Sequence, residues 1–352
     1  MAIAETSPAP GLLGRVLELR WGNWQGSLLL FVVGLPVSVA FLPPSVSFWV
    51  SALLAVLLCA ALIVNAWGRY VGGLLVAPAI ALLFMMNIFP LLWSLGLSFF
   101  SYKANRAKAP TWVGLENYVK VLNDTDIWNR LHNTAILGIL TVTVQMIVGF
   151  LLAILFAKLF PLRRYLLILV LTPMMLSFVA VGAFFRYYYD PTFGLLSQFV
   201  RLFTGEPFIL MQTIWGARAG IVFADAWMWS PFVMLLVLAG LVSVPKYLYE
   251  AAAIDRVSAW RRFWSITFPY IRGLLMLALL FRTIEAFKLA DLVILLTKGG
   301  NDTMTISYHL IRIANEQNKT SEGAAISYIM LFMVIVLTNL YLYLANRRSK
   351  GA

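Results

Sequence analysis

Cysteine is all but missing from this chain. Cys59 stands alone inside an apolar run, so neither a disulfide nor a cysteine metal site can form within one chain. Histidine is nearly as scarce. His132 and His309 lie far apart near the ends of apolar stretches, where structural or interfacial roles outweigh metal binding, and no metal site is expected. No Gly-x-x-x-x-Gly-Lys phosphate loop occurs, so the chain cannot cradle nucleotide phosphates by itself. Nothing pairs a nucleophile with a base, which argues against an enzyme. Internal repeats, low-complexity segments and a stretch long enough for a separate soluble domain are also absent.

Charge is the next shortage. Only 12% of residues are charged, against about 25% in a soluble globular chain. What fills the space is apolar: 61% of residues, with aromatics at 14% and a mean hydropathy of +0.85. These values describe an all-α polytopic membrane protein with aromatic anchors at its interfaces. The net charge of +12 would suggest nucleic acid in a soluble protein. Beside membrane spans it sets topology instead, and no nucleic-acid partner is expected.

A helix needs about 20 apolar residues to cross a bilayer. Candidate spans are 27–43, 48–67, 71–99, 133–157, 165–187, 219–243, 271–297 and 324–345, eight in all, which puts both termini on one side. Arg163 with Arg164, Arg261 with Arg262, and Arg347 with Arg348 cluster at span ends on that same side, so both termini are read as cytoplasmic. Residues 1–26 have no basic region directly before a short apolar stretch and cleavage site, and are expected to be a cytoplasmic tail. The outside segments 100–132, 188–218 and 298–323 carry amphipathic stretches broken by Gly and Pro.

Tyr249 to Arg272 is a polar, helix-periodic island between two apolar spans. Ala253, Val257, Trp260, Trp264 and Phe268 fall along one stripe of a 3.6-residue helix. A connecting loop with an apolar face has something to press against, either a partner protein or lipid headgroups. Within it, EAAAIDRVSAWRRFWSITFP resembles the EAA loop of permease subunits of binding-protein-dependent ABC importers, in the carbohydrate-uptake branch. Glu250, Ala251, Ala252, Asp255, Phe263, Ile266, Thr267 and Pro269 match that pattern. Arg256 stands where the family has glycine, and Val257 where it has alanine. A glycine there permits a sharp bend between two short helices, so Arg256 implies a different turn or an added partner contact.

The resemblance extends from about residue 75 to the C-terminus. HNTAILGILTVTVQMIVGFLLAILFA resembles the span opening the family's core, and LTPMMLSFVAVGAFFRYYYDPTFGLL the next span with its hairpin. FADAWMWSPFVMLLVLAGLVSVPKYLYEAAAID resembles the run into the loop, and LTKGGNDTMT the family's Thr-Gly-Gly-Pro ending, with Asn301 for proline. The resemblance implies a six-helix ABC importer permease core over 71–352, with its coupling loop at 245–270, preceded by two extra N-terminal helices within 27–70. It implies a second homologous permease forming a heterodimer, two ATPase subunits carrying ATP and Mg, and a soluble periplasmic or extracellular binding protein delivering a sugar. The membrane would be the bacterial inner membrane. Glu250 and Asp255 would make polar contacts to the ATPase, Ala251 and Ala252 would pack closely against it, and Arg256, Arg261, Phe263 and Pro269 complete the coupling set.

The seventh span places Arg282, Glu285, Lys288 and Asp291 within one apolar run. Each unpaired charge near the bilayer centre costs roughly 3 kcal/mol or more, so these must face a bundle interior or a water-filled path. Their spacing allows i, i+3 pairs, Arg282 with Glu285 and Lys288 with Asp291, that only hold helices together. Alignment with the maltose-permease type carries its sugar contacts onto Met228, Trp229, Phe232, Arg282, Glu285, Ala286 and Leu289. A cationic Arg282 in the path would favour a sugar with an anionic substituent, unless Glu285 neutralises it. The competing class is an ion-coupled secondary sugar transporter using Asp225, Glu285 or Asp291. It leaves the amphipathic loop unexplained.

Overall fold

The structure, a computed structural model, describes residues 71–105 and 109–349, together with positions 50, 53 and 54. The two expected N-terminal spans at 27–43 and 48–67 lie almost wholly outside the described residues. Among the described residues, five helices are long and apolar enough to span a membrane, and one bent pair makes a sixth. The chain divides into two compact units after Trp93. α1 (Val71–Leu83) continues through a π-helical turn at Phe84–Ile88 into α2 (Phe89–Ser98), the boundary falls within α2, and almost every described side chain of the first unit is exposed.

The second unit opens with a two-stranded antiparallel hairpin, β1 (Phe100–Ser101) against β2 (Thr111–Trp112), and a short helix α3 (Glu116–Asn123). Then comes α4 (Thr125–Ala157), which starts eight residues before the expected 133 because the Asp124 side chain caps it by accepting from the Asp126 amide. The expected single span at 165–187 is instead two helices, α5 (Arg163–Leu171) and α6 (Phe178–Tyr188), bent by 100°. Pro173 tightens the end of α5 into a 3-10 turn, Leu176 is extended, and Ser177 restarts the chain as an N-cap, accepting from the Ala180 amide. After α7 (Leu195–Thr204), α8 runs over Ile214–Ser243.

α8 packs most extensively on α4, and the two run parallel: Asn133 meets Arg218, Gln145 meets Asp225, and Gly149 meets Val233. At Gly149 a Cβ would stand 2.6 Å from the Val233 Cβ and 2.7 Å from the Ser230 carbonyl oxygen, so only hydrogen lets the backbones approach this closely. The core buries Leu137, Ile221, Met228 and Leu292 in one cluster, and Phe156, Val233, Met234 and Ala278 in another.

The inter-span loop is not one helix with one stripe. α9 (Lys246–Ile254) and α10 (Ala259–Arg262) are separated by a turn, and α10 passes through a π-helical turn at Phe263–Thr267 into α11 (Phe268–Phe287). The seventh span, expected over 271–297, also ends early, at Phe287. The chain kinks at 288–290 and resumes as α12 (Asp291–Leu296). The break is held open by two hydroxyls from further along the chain: Ser307 donates to the Phe287 carbonyl at 2.5 Å and Thr305 to the Leu289 carbonyl at 2.6 Å. A short helix α13 (Ile306–Ile311) and the last span α14 (Thr320–Ser349) complete the unit.

Candidate functional site: a docking loop and a buried polar cavity

The turn between α9 and α10 has a specific geometry. Arg256 takes a left-handed φ of 51°, its amide donates to the Ala253 carbonyl at 3.1 Å, and the Val257 amide donates to the Ala252 carbonyl at 3.0 Å. These are the paired bonds of a Schellman turn, whose left-handed position glycine usually fills. The expectation of a different turn is therefore corrected. The bend is the one glycine would make, with a side chain carried in a backbone region that costs of order 1 kcal/mol.

Ala252 is buried beneath this turn, while Glu250, Ala251, Asp255, Arg256, Arg261 and Pro269 are exposed. Phe263 is half-buried and anchors the loop to α4, its ring edge-on to Phe150 at 6.1 Å. Trp264 meets Trp260 edge-on at 5.5 Å and Phe268 at a tilt at 4.8 Å. The Tyr249 hydroxyl meets the Thr267 hydroxyl at 3.0 Å. Two large apolar side chains stand out from this anchored frame, Ile254 at 82% exposure and Trp260 at 73%. Neither Ile254 nor Tyr247, which is also exposed, belonged to the expected coupling set. Their signal was an apolar side chain flanking a charged motif.

The second feature lies where α4, α8 and α11 meet. Arg282 does not pair with Glu285. Its Nη2 lies 3.4 Å from Asp225 Oδ2, its Nε donates to Gln145 Oε1 at 2.7 Å, and Gln145 Nε2 donates to Asp225 Oδ2 at 2.5 Å. All three side chains are fully buried. The guanidinium also lies over the Trp229 ring, 4.7 Å from its centroid. Nor does Lys288 pair with Asp291: its Nζ is 2.6 Å from Glu285 Oε1, at the exposed rim. Sequence spacing suggested neighbours on one helix, whereas the buried cation found its partner across the bundle.

Above this triad, at the kink in the seventh span, is a cavity of about 220 Å³ lined by Asp225, Arg282, Glu285, Ala286, Lys288, Leu289 and Asp291, among others. Of the seven expected substrate-path residues it gathers Arg282, Glu285, Ala286 and Leu289. Met228 is buried in the core with Leu137 and Ile221. Trp229 and Phe232 are half-buried ring neighbours, 6.4 Å apart. Gln145 escaped the sequence reading, although a lone amide within TVTVQMIVGF needs a partner. A larger groove of about 510 Å³ on the flank between α4, α5 and α8 is lined mostly by apolar side chains, with the hydroxyls of Thr172 and Ser230 and the indole of Trp227 among them. It has none of the charged groups of the smaller cavity.

Residues 145–350 match the family described as binding-protein-dependent transport system inner membrane component. The chain belongs to that family. It is 30% identical over 290 residues to the sulfoquinovosyl glycerol transport system permease protein SmoG of Agrobacterium fabrum, covering 80% of this chain and 92% of that relative. It is also 30% identical over 279 residues to the trehalose/maltose transport system permease protein MalF of Thermococcus litoralis, covering 79% and 94%. The fold is similar to that in a crystal structure of a bacterial ABC transporter involved in the import of the acidic polysaccharide alginate, with a TM-score of 0.70 at 19% identity, over 81% of this chain and 97% of that one. The likeness to permeases rather than catalysts agrees with the absence of any catalytic constellation in the sequence.

Proposed function

We propose that this family member is the permease subunit of an ABC sugar importer in a bacterial inner membrane, with both termini cytoplasmic. A second, homologous permease completes the pore. Two ATPase subunits carrying ATP and Mg dock below the permease pair, this chain's cytoplasmic loop entering a cleft on one of them, and a soluble binding protein delivers sugar to the outer segments. The observation that carries this reading is the loop itself. A helix, a Schellman turn and a second helix are pinned to the bundle through Phe263 and Phe150, with the apolar side chains of Ile254 and Trp260 exposed. Glu250 and Asp255, exposed on the same loop, supply its polar contacts. Movement of the docked helices passes directly into α8 and α11, the two spans the loop joins, and the spans rock between inward and outward states. The cavity at the kink lies on the path the sugar takes between those states.

The test is crosslinking. On a Cys59→Ser background, cysteines at 254 and 260 should trap a co-expressed ATPase subunit. Capture of lipid alone at both positions rejects the docking assignment. The competing carrier reading leaves the amphipathic loop unexplained, and two of its three candidate carboxylates are already engaged, Asp225 by Arg282 and Gln145 and Glu285 by Lys288.

A further inference from the structure

The charge arrangement around the cavity speaks to what it accepts, provided the cavity is on the sugar's path as proposed above. Its wall holds three carboxylates, Asp225, Glu285 and Asp291, and two cations, Arg282 and Lys288, for a net charge of −1. An arginine in such a place would ordinarily mark an anion site. Here the guanidinium is engaged at two of its three nitrogens and on one face. Asp225 takes Nη2, Gln145 takes Nε, and the Trp229 ring covers one face. Only 3% of Arg282 is exposed. An anion taking Nη2 would have to displace Asp225, and one meeting the guanidinium elsewhere would still lie beside that buried carboxylate. Lys288 is paired in turn with Glu285 at 2.6 Å. Asp291 alone is exposed on the wall with no ion-pair partner among the described residues.

We propose that this cavity selects an uncharged polyhydroxylated solute and rejects anionic counterparts of the same size, with the Asp291 carboxylate accepting a hydrogen bond from a substrate hydroxyl. Gln145 is the positioning residue for this selectivity. By accepting from Arg282 and donating to Asp225 it holds the ion pair closed. A paired glutamine is the means by which a cation in the wall is kept from acting as one.

The experiment measures direct sugar binding by calorimetry to the whole transporter in nanodiscs, without binding protein. The probes are two matched pairs, trehalose with trehalose 6-phosphate and maltose with maltobionate. The neutral member of a pair should bind about tenfold or more tightly than its anionic partner, the scale of one screened unit charge a few ångström away. Asp291→Lys, which turns the wall from −1 to +1, should narrow or reverse that ratio. Gln145→Ala should also relax it, and Gln145→Asn should restore it only in part. Equal or tighter binding of the anionic member by the unmodified protein overturns the selectivity while leaving the cavity as a sugar site. A ratio untouched by Asp291→Lys, or no binding of any probe, overturns the location of the sugar instead.

Discussion

Replacing Asp225 with leucine should be far more damaging than its size suggests, and the loss should be recoverable. The substitution strands Arg282 as a buried, unpaired cation, which costs about 3–5 kcal/mol. Arg282→Met strands Asp225 and should cost a similar amount. In the double variant both charges are gone, and what remains unsatisfied is the Gln145 amide, worth about 1–3 kcal/mol. Adding Gln145→Leu should bring stability back to within about 1 kcal/mol of the starting protein, because a well-packed apolar replacement of a buried ion pair is close to neutral. The coupling between positions 225 and 282, the two single costs together less that of the double variant, should therefore be at least about 3 kcal/mol. Lys288 and Glu285 make a useful contrast. Their contact is shorter, 2.6 Å against 3.4 Å, yet both are largely exposed, and each single substitution there should cost below about 1 kcal/mol. Reversible unfolding in mixed micelles, followed by circular dichroism, reads all of these. Additive effects at 225 and 282 would refute the reasoning, since independent sites leave no stranded charge to rescue.

Other outcomes follow from the same structure. Arg256→Gly should keep the turn and stabilise the loop by about 1 kcal/mol, whereas Arg256→Val, β-branched at a left-handed φ, should loosen it and weaken ATPase association in a pull-down. Gly149→Ala should destabilise the protein by about 1–3 kcal/mol, because the new methyl meets backbone at Ser230 and Cβ at Val233 rather than a flexible tip. His309 is held below its usual range by burial, with the Arg130 charge adding to this and Asp124 and Asp126 opposing it. A depressed histidine binds its proton more readily when unfolded, so its contribution is present above pH about 6.5 and lost as pH falls below it. His309→Phe should flatten that acid limb of the stability profile measured by thermal unfolding.

The spans from residue 71 onward and the loop motif were legible in the sequence because both are local. Twenty apolar residues, or eight matched positions within one loop, need no knowledge of what lies across the bundle. The bend between α5 and α6 was foreshadowed by Pro173 but masked by the continuous apolar run around it. The break at 288–290 was not legible at all, since the hydroxyls that support it come from Thr305 and Ser307, beyond an intervening helix and turn. The same holds for the partner of Arg282. Sequence spacing offers Glu285 one turn away, and only the packing of α11 on α8 brings Asp225 within reach. Arg256 illustrates the opposite limit. The departure from glycine was visible, but whether the backbone would yield depends on the flanking helices, and they prevail.

The segment that follows α12 ties several spans together at the end away from the docking loop. Asn301 donates to the Met211 carbonyl at 2.6 Å, Arg218 to the Asp302 carbonyl at 3.2 Å, and the Ile306 amide to the Thr134 hydroxyl at 2.8 Å. Sliding at that end would sever all of these at once, so the bolted end is a fulcrum. A 30-residue helix such as α8 is about 45 Å long, and a swing of about 10° there sweeps its far end through roughly 8 Å. Small rotations around that clasp thus translate into large strokes where the ATPase would pull.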